Sequence, residues 1–182
     1  MRSHAFAGEL SYAKSFDRVL ILASMAIFAA QPATKTAAEQ TMANPLIGTW
    51  KMTSWTRELT ATGQKSDALG PSPIGWISYS RDGRMMVVVV RSDRKAPAAL
   101  VPTDSERISL YSSMLAYSGT YTVDDEKVTH NIDTSWNQAW TGTKQVRFYK
   151  VDGKTLTLRG APAKDAVDGM ESVYTVIWEK VE

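Results

Sequence analysis

From Gly48 onward the chain alternates short apolar-rich runs with polar turns, at the spacing that strands and tight loops require. Gly48 to Glu58 reads as a long first strand. Trp76–Ser80 and Arg84–Val90 read as two strands joined around Asp82-Gly83, a pair that favours the positive φ of a tight hairpin. With those two as the turn, Tyr79 faces Met86 and Ile77 faces Val88. Met85 to Val90 is apolar at every position, so this strand is expected to be covered on both sides or to face a second copy. Thr120–Val123 and Val128–Asp133 form the next hairpin, around Asp125-Glu126. Thr143–Val151 and Thr155–Arg159 form a third, around Asp152-Gly153, and Ser172–Val181 closes the series.

Between the strands lie segments that cannot extend a ladder. Thr60–Asp67 is a polar loop, and Leu69–Gly75 carries Pro71 and Pro73. Thr103-Asp104-Ser105-Glu106 has the form of a capping box. Ile108, Tyr111, Met114 and Leu115 follow at helical spacing, so an amphipathic helix is expected from there through Tyr117, stopped by Gly119. Ala161–Gly169 reads as a loop. The pattern predicts an all-β fold, an antiparallel up-and-down barrel of about eight strands with one amphipathic helix. Trp50 would plug one end, with Gly48 letting the backbone pass beneath it.

The first forty residues follow another pattern. Val19 to Ala30 is an unbroken run of apolar and small residues preceded by Arg18, Lys14 and Arg2. Twelve residues are too short to span a bilayer but suit the core of a signal-like helix. Residues 1–38 are therefore expected to be a leader and 39–182 a single domain, exported to the periplasm or secreted, with no stable membrane span once mature. A start at Met42 would instead leave the protein cytoplasmic. Without the leader, Lys plus Arg falls from 21 to 17 and Asp plus Glu from 19 to 17. The remaining domain is near neutral, so the electrostatic footprint of nucleic-acid binding is missing.

The 182 residues include no Cys and two His. Disulfides, thiol chemistry and thiolate metal sites are excluded, and no metal or other cofactor is expected. Strand parity then selects the interior. Tyr121 faces His130 across the second hairpin, and Val128, His130 and Ile132 share an apolar face. In the third hairpin Tyr149 is expected opposite Leu156 and Arg147 opposite Leu158, which turns Gln145 and Arg147 inward as well. An inward Arg needs a partner or a wet cavity. The candidate ligand-binding residues are His130, Arg147, Tyr121, Gln145, Trp76, Tyr79 and Trp140, with Trp136, Tyr174 and Trp178 as further aromatics around the lumen. Asn131, Asp133 and Ser135 have the opposite parity, so His130 and Asp133 should not touch and no Ser-His-Asp triad is indicated.

Taken together, Leu46-Ile47-Gly48-Thr49-Trp50 with Ser54-Trp55 and Gly70-Pro71 through Gly75 with Ile77, Tyr79 and Asp82-Gly83 resemble the bacterial and fungal lipocalin-like domain family. Leu115-Ala116-Tyr117 with Gly119 and Tyr121, Val128-Thr129-His130, Trp140 with Gly142, Gln145 with Arg147, and Trp178-Glu179 extend the likeness to nearly the whole domain. The resemblance implies a β-barrel with an internal pocket and leaves activity open. One expectation is a protein that binds a small hydrophobic or aromatic molecule. Another is a cofactor-free isomerase, cyclase or dehydratase acting on a small hydrophobic substrate, with His130 and Tyr121 as the catalytic pair and His130 titrating near working pH. A third is an interaction module, with the valine run as the seam of a homodimer.

Overall fold

The computed structural model describes residues 44–165 and 168–181. The leader expected at 1–38 and the alternative start at Met42 lie outside them. The main chain forms one antiparallel sheet closed on itself. Its strands are β1 (Gly48–Leu59), β2 (Lys65–Asp67), β3 (Ile74–Tyr79), β4 (Arg84–Val90), β5 (Met114–Val123), β6 (Lys127–Ser135), β7 (Lys144–Asp152), β8 (Thr155–Arg159), β9 (Ala163–Lys164) and β10 (Glu171–Lys180). Neighbours run β1-β3-β4-β5-β6-β7-β8-β10, and β10 pairs back onto β1, so eight strands make a closed up-and-down barrel. The short β2 and β9 pair with the ends of β1 and β10. They fall inside the segments read as loops, where three and two residues can pair locally.

Closure rests on a long seam. β1 follows β10 from Trp50↔Lys180 to Leu59↔Ser172, with one bulge between Met52 and Ser54. The extra residue reverses the parity of β1, so Trp50, Met52 and then Trp55 all turn inward. At the chain-start end, Leu46 and Trp50 are fully buried. The Trp50 Nε1–H donates to the Leu46 carbonyl at 2.8 Å, and Lys180 Nζ lies 5.1 Å from the ring centre. That end of the barrel is plugged, as the sequence led us to expect.

Three local expectations are corrected. In the β3–β4 hairpin Tyr79 pairs with Met85 and Ile77 with Val87, a slip of one residue. Ser80 N–H donates to Arg84 O, so the loop holds Arg81, Asp82 and Gly83, with Gly83 at φ 83°. One more loop residue exchanges the faces of β4. Met85, Val87 and Val89 fill the core, while Met86 and Val88 stay 59% and 48% exposed on the outer wall. In the third hairpin the slip is two residues, with Tyr149 opposite Leu158 and Val151 opposite Leu156. A shift of two preserves parity, so the face assignment holds. The helix, α1 (Asp104–Ser112), starts at the expected capping box but ends before Met114. Met114 and Leu115 pair with Val90 and Val89, because a ladder to β4 buries more than another helical turn would. No residue of α1 is buried.

Candidate functional site

Among the described residues His130 is the one buried titratable base, 1% exposed at the middle of β6. Two tyrosines clamp its ring. Tyr79 Oη, from the end of β3, lies 2.8 Å from Nε2, and Tyr117 Oη, from β5, lies 2.9 Å from Nδ1. Parity puts all three inside. Tyr117, Gly119 and Tyr121 alternate on β5, and a bulge between Ser118 and Gly119 adjusts the register to β6. Asp133 has the opposite parity to His130 and points outward, where it forms an ion pair with Arg84 and does not reach His130.

The charge states follow from burial. Desolvation, aided by the nearby Arg147 charge, pushes the His130 pKa down to about 3, so the imidazole is neutral at any physiological pH. Burial likewise raises Tyr117 to about 12 and lifts Tyr79 well above the ordinary phenol range, with Arg147 opposing in both cases. The expected titration of His130 near neutrality is therefore corrected: burial of the ring and the neighbouring Arg147 charge both oppose its protonation.

The other expected residues divide. Tyr121 pairs with His130 in the ladder, as anticipated, but its hydroxyl is committed elsewhere. It donates to Ser80 O and accepts from Asn44 Nδ2 at the plugged end. Gln145 pairs with His130 on the β7 side, and Arg147 lies two residues on. The Arg147 guanidinium donates to Gln145 Oε1 at 3.0 Å and to the Val146 carbonyl at 2.9 Å. Among the described residues no carboxylate pairs with it. Trp140 sits on a single 3-10 turn, Gln138–Trp140, and packs against Tyr117 and Trp136 with centroids 5.8 and 5.0 Å apart. Trp178 is buried in the core, and Tyr174 holds Asp165. Trp76 is a correction: it points out of the barrel, 44% exposed, because Gly75 and Ile77 take the inward positions of β3.

Tyr117 was not singled out as a site residue. Its signal was in the sequence, since Tyr117, Gly119 and Tyr121 share one parity. The helical spacing of Ile108 and Tyr111 drew it into the wrong element.

The interior is packed unevenly. Inward side chains of β3 to β6, such as Ile77, Val87, Val128 and Ile132, are buried. Gln145, Arg147, Val176 and Trp55, on β7, β10 and β1, point inward yet keep partial exposure. Gln145 and Arg147 lie beyond the β7–β8 ladder, which starts at Phe148, and Trp55 lies beyond the β1–β3 ladder, which stops at Lys51. Leu46 and Trp50 fill the opposite end from α1 and the 136–143 loop. Two recesses on the outside, of about 270 and about 320 Å³, include Arg91 and Arg94 in one and Arg84 and Met86 in the other; neither includes a member of the His130 cluster. Among the described residues no three His, Asp or Glu converge to hold a metal ion, and no helix is long and apolar enough to cross a membrane.

The profile of the lipocalin-like domain family matches residues 47–181. No curated protein is similar enough to match the chain. Among solved structures, a lipocalin-like protein from Bacteroides uniformis aligns at 11% identity and TM-score 0.40, covering 74% of this chain and 97% of its own. An uncharacterized protein from Bacteroides eggerthii aligns at 12% identity and TM-score 0.36, covering 74% and 98%.

Proposed function

This chain belongs to the lipocalin-like domain family, and from that premise we propose that it binds a small, mainly apolar molecule bearing an acidic end inside the barrel. The observation that carries this reading is Arg147, an inward guanidinium with no carboxylate partner among the described residues, set in a largely apolar, partly accessible interior. A bound carboxylate would supply the missing counter-charge through two parallel N–H···O bonds, and the apolar wall would supply most of the affinity. Binding is favoured over the isomerase or cyclase reading because His130 is neutral and both its nitrogens are engaged by hydroxyls. A group in that condition orients neighbours; it does not cycle a proton near neutral pH.

Tryptophan fluorescence tests the reading. Titration with 2-naphthoate should quench saturably at one site, without turnover. Arg147→Met should weaken that binding about 10- to 100-fold, the range for a charged hydrogen-bonded pair, while leaving the unfolding midpoint undiminished. Non-saturable quenching, or equal affinity in Arg147→Met, would count against it. The apolar run after Arg18 supports export as the setting we propose, with residues 1–38 removed. N-terminal sequencing of the protein recovered outside the cytoplasm, starting near residue 39, is the expected result.

A further inference from the structure

Hydrogen counting inside the barrel leads further. A neutral imidazole has one N–H and one lone-pair nitrogen. Its two neighbours, Tyr79 and Tyr117, bring one O–H each. Two contacts consume two of these three hydrogens. One tyrosine donates to the bare nitrogen, and the other accepts the ring N–H. The accepting tyrosine keeps a hydroxyl hydrogen for which no acceptor exists among the described residues. Protonating the ring would only raise the surplus to two.

The surplus has a preferred place. Tyr79 is 1% exposed in the plugged half, with the Tyr121 ring edge-on at 4.9 Å. Tyr117 is 9% exposed and packs on Trp140 of the 136–143 loop, at the end opposite Trp50. An unmet donor costs most where no acceptor can enter, so the free hydrogen belongs on Tyr117. Other unspent groups in the interior have the same sign. Trp178 is 2% exposed and its Nε1–H has no partner, nor has the buried Nε1–H of Trp55. Gln145 turns its oxygen toward Arg147, and its N–H groups have no acceptor among the described residues.

We propose that His130 is held as the Nδ1–H tautomer, donating to Tyr117, and that the Tyr117 hydroxyl donates in turn to a carbonyl or carboxylate oxygen of the bound molecule. This rests on the binding reading above and specifies its ligand class: a molecule that presents acceptor oxygens to a wall of donors. Tyr117 is then the residue that sets specificity, and His130 is a positioning residue that fixes the direction of its hydrogen.

Two measurements decide it. Nitrogen-15 NMR of the His130 ring in the unliganded protein should show the proton on Nδ1; a proton on Nε2 would overturn the proposal with no ligand involved. The second uses 2-acetylnaphthalene and 2-isopropenylnaphthalene, uncharged isosteres that differ by C=O against C=CH2. Wild type should prefer the ketone about five- to tenfold, and Tyr117→Phe should erase that preference while still binding the alkene. A ketone preference equal in both proteins, with the alkene bound saturably, would sink the Tyr117 assignment and leave the binding reading standing. Failure of wild type to bind either probe would sink both.

Discussion

At the scale of single residues, His130 governs the chemistry by being neutral. Its folded pKa of about 3 lies below the ordinary 6.5, so between those values the unfolded chain binds the proton and the native barrel does not. Stability gained from His130 is complete above about pH 6.5 and is lost as pH falls toward 3, at up to about 1.4 kcal/mol per pH unit. Urea unfolding at pH 7 and pH 5 should show a loss that is absent in His130→Gln. Asp93, Asp133 and Asp168 are held low by their arginine partners, so their own acid losses begin further down and leave the upper window to His130. A flat profile in wild type between pH 7 and pH 5 would mean that water reaches the ring. The arginines differ in the same way. Arg57 is bidentate to Asp168 and bonds Ser172, a finished structural cluster, whereas Arg147 has only an amide oxygen and a carbonyl.

At the scale of elements, the bulges decide what the strands present. Gly119 stands where β5 changes register against β6, and a Cβ there would come within 1.9 Å of the Asn131 carbonyl oxygen. Gly83 is different. It needs its positive φ, but a Cβ would meet nothing within 4 Å. Gly119→Ala should therefore cost about 3 kcal/mol or more through forced displacement of β6, and Gly83→Ala about 1 to 2 kcal/mol through backbone strain alone. Urea midpoints measure both, and the reverse order would show that the bulge relaxes freely. Gly119→Ala should also disturb the His130–Tyr117 contact, since Asn131 adjoins His130. Helix α1 is the contrasting element. Its capping box is complete, with Thr103 and Glu106 satisfying each other's backbone groups, yet it buries nothing. Local hydrogen bonding sustains it, and its amides should exchange well before those of the barrel.

At the scale of the whole molecule, closure joins the two ends of the domain. Trp55 pairs with Val176 and Met52 with Trp178, contacts between residues at opposite ends of the domain, whereas β3, β4 and β5 pair with strands much closer in the chain. Loop-closure entropy makes the distant seam the late event. Val176→Ala should thus speed unfolding and leave the refolding rate nearly unchanged, while Val89→Ala, in the early meander, should slow refolding. Stopped-flow tryptophan fluorescence reads both, and a slowed refolding in Val176→Ala would place the seam in the nucleus instead. The outer wall of β3 and β4 shows Ile74, Trp76, Met86 and Val88 half-exposed, so the apolar run of β4 serves the core with one face only.

The linear pattern was enough for the barrel, the plugged end under Trp50, the Tyr121–His130 pairing and the inward side of Gln145 and Arg147. These depend on period-two alternation and on turns flanking each strand, which are local properties of the chain. It was not enough for the β3–β4 register, because one extra loop residue reverses every side chain beyond it. Nor could it stop the helix at Ser112, since Met114 and Leu115 suit either element and only β4, a distant partner, chooses between them. The clamp on His130 belongs to tertiary structure for the same reason. Tyr79 and Tyr117 come from different strands, and which hydroxyl meets which nitrogen is settled by curvature and bulges that bring three walls of the barrel to one point.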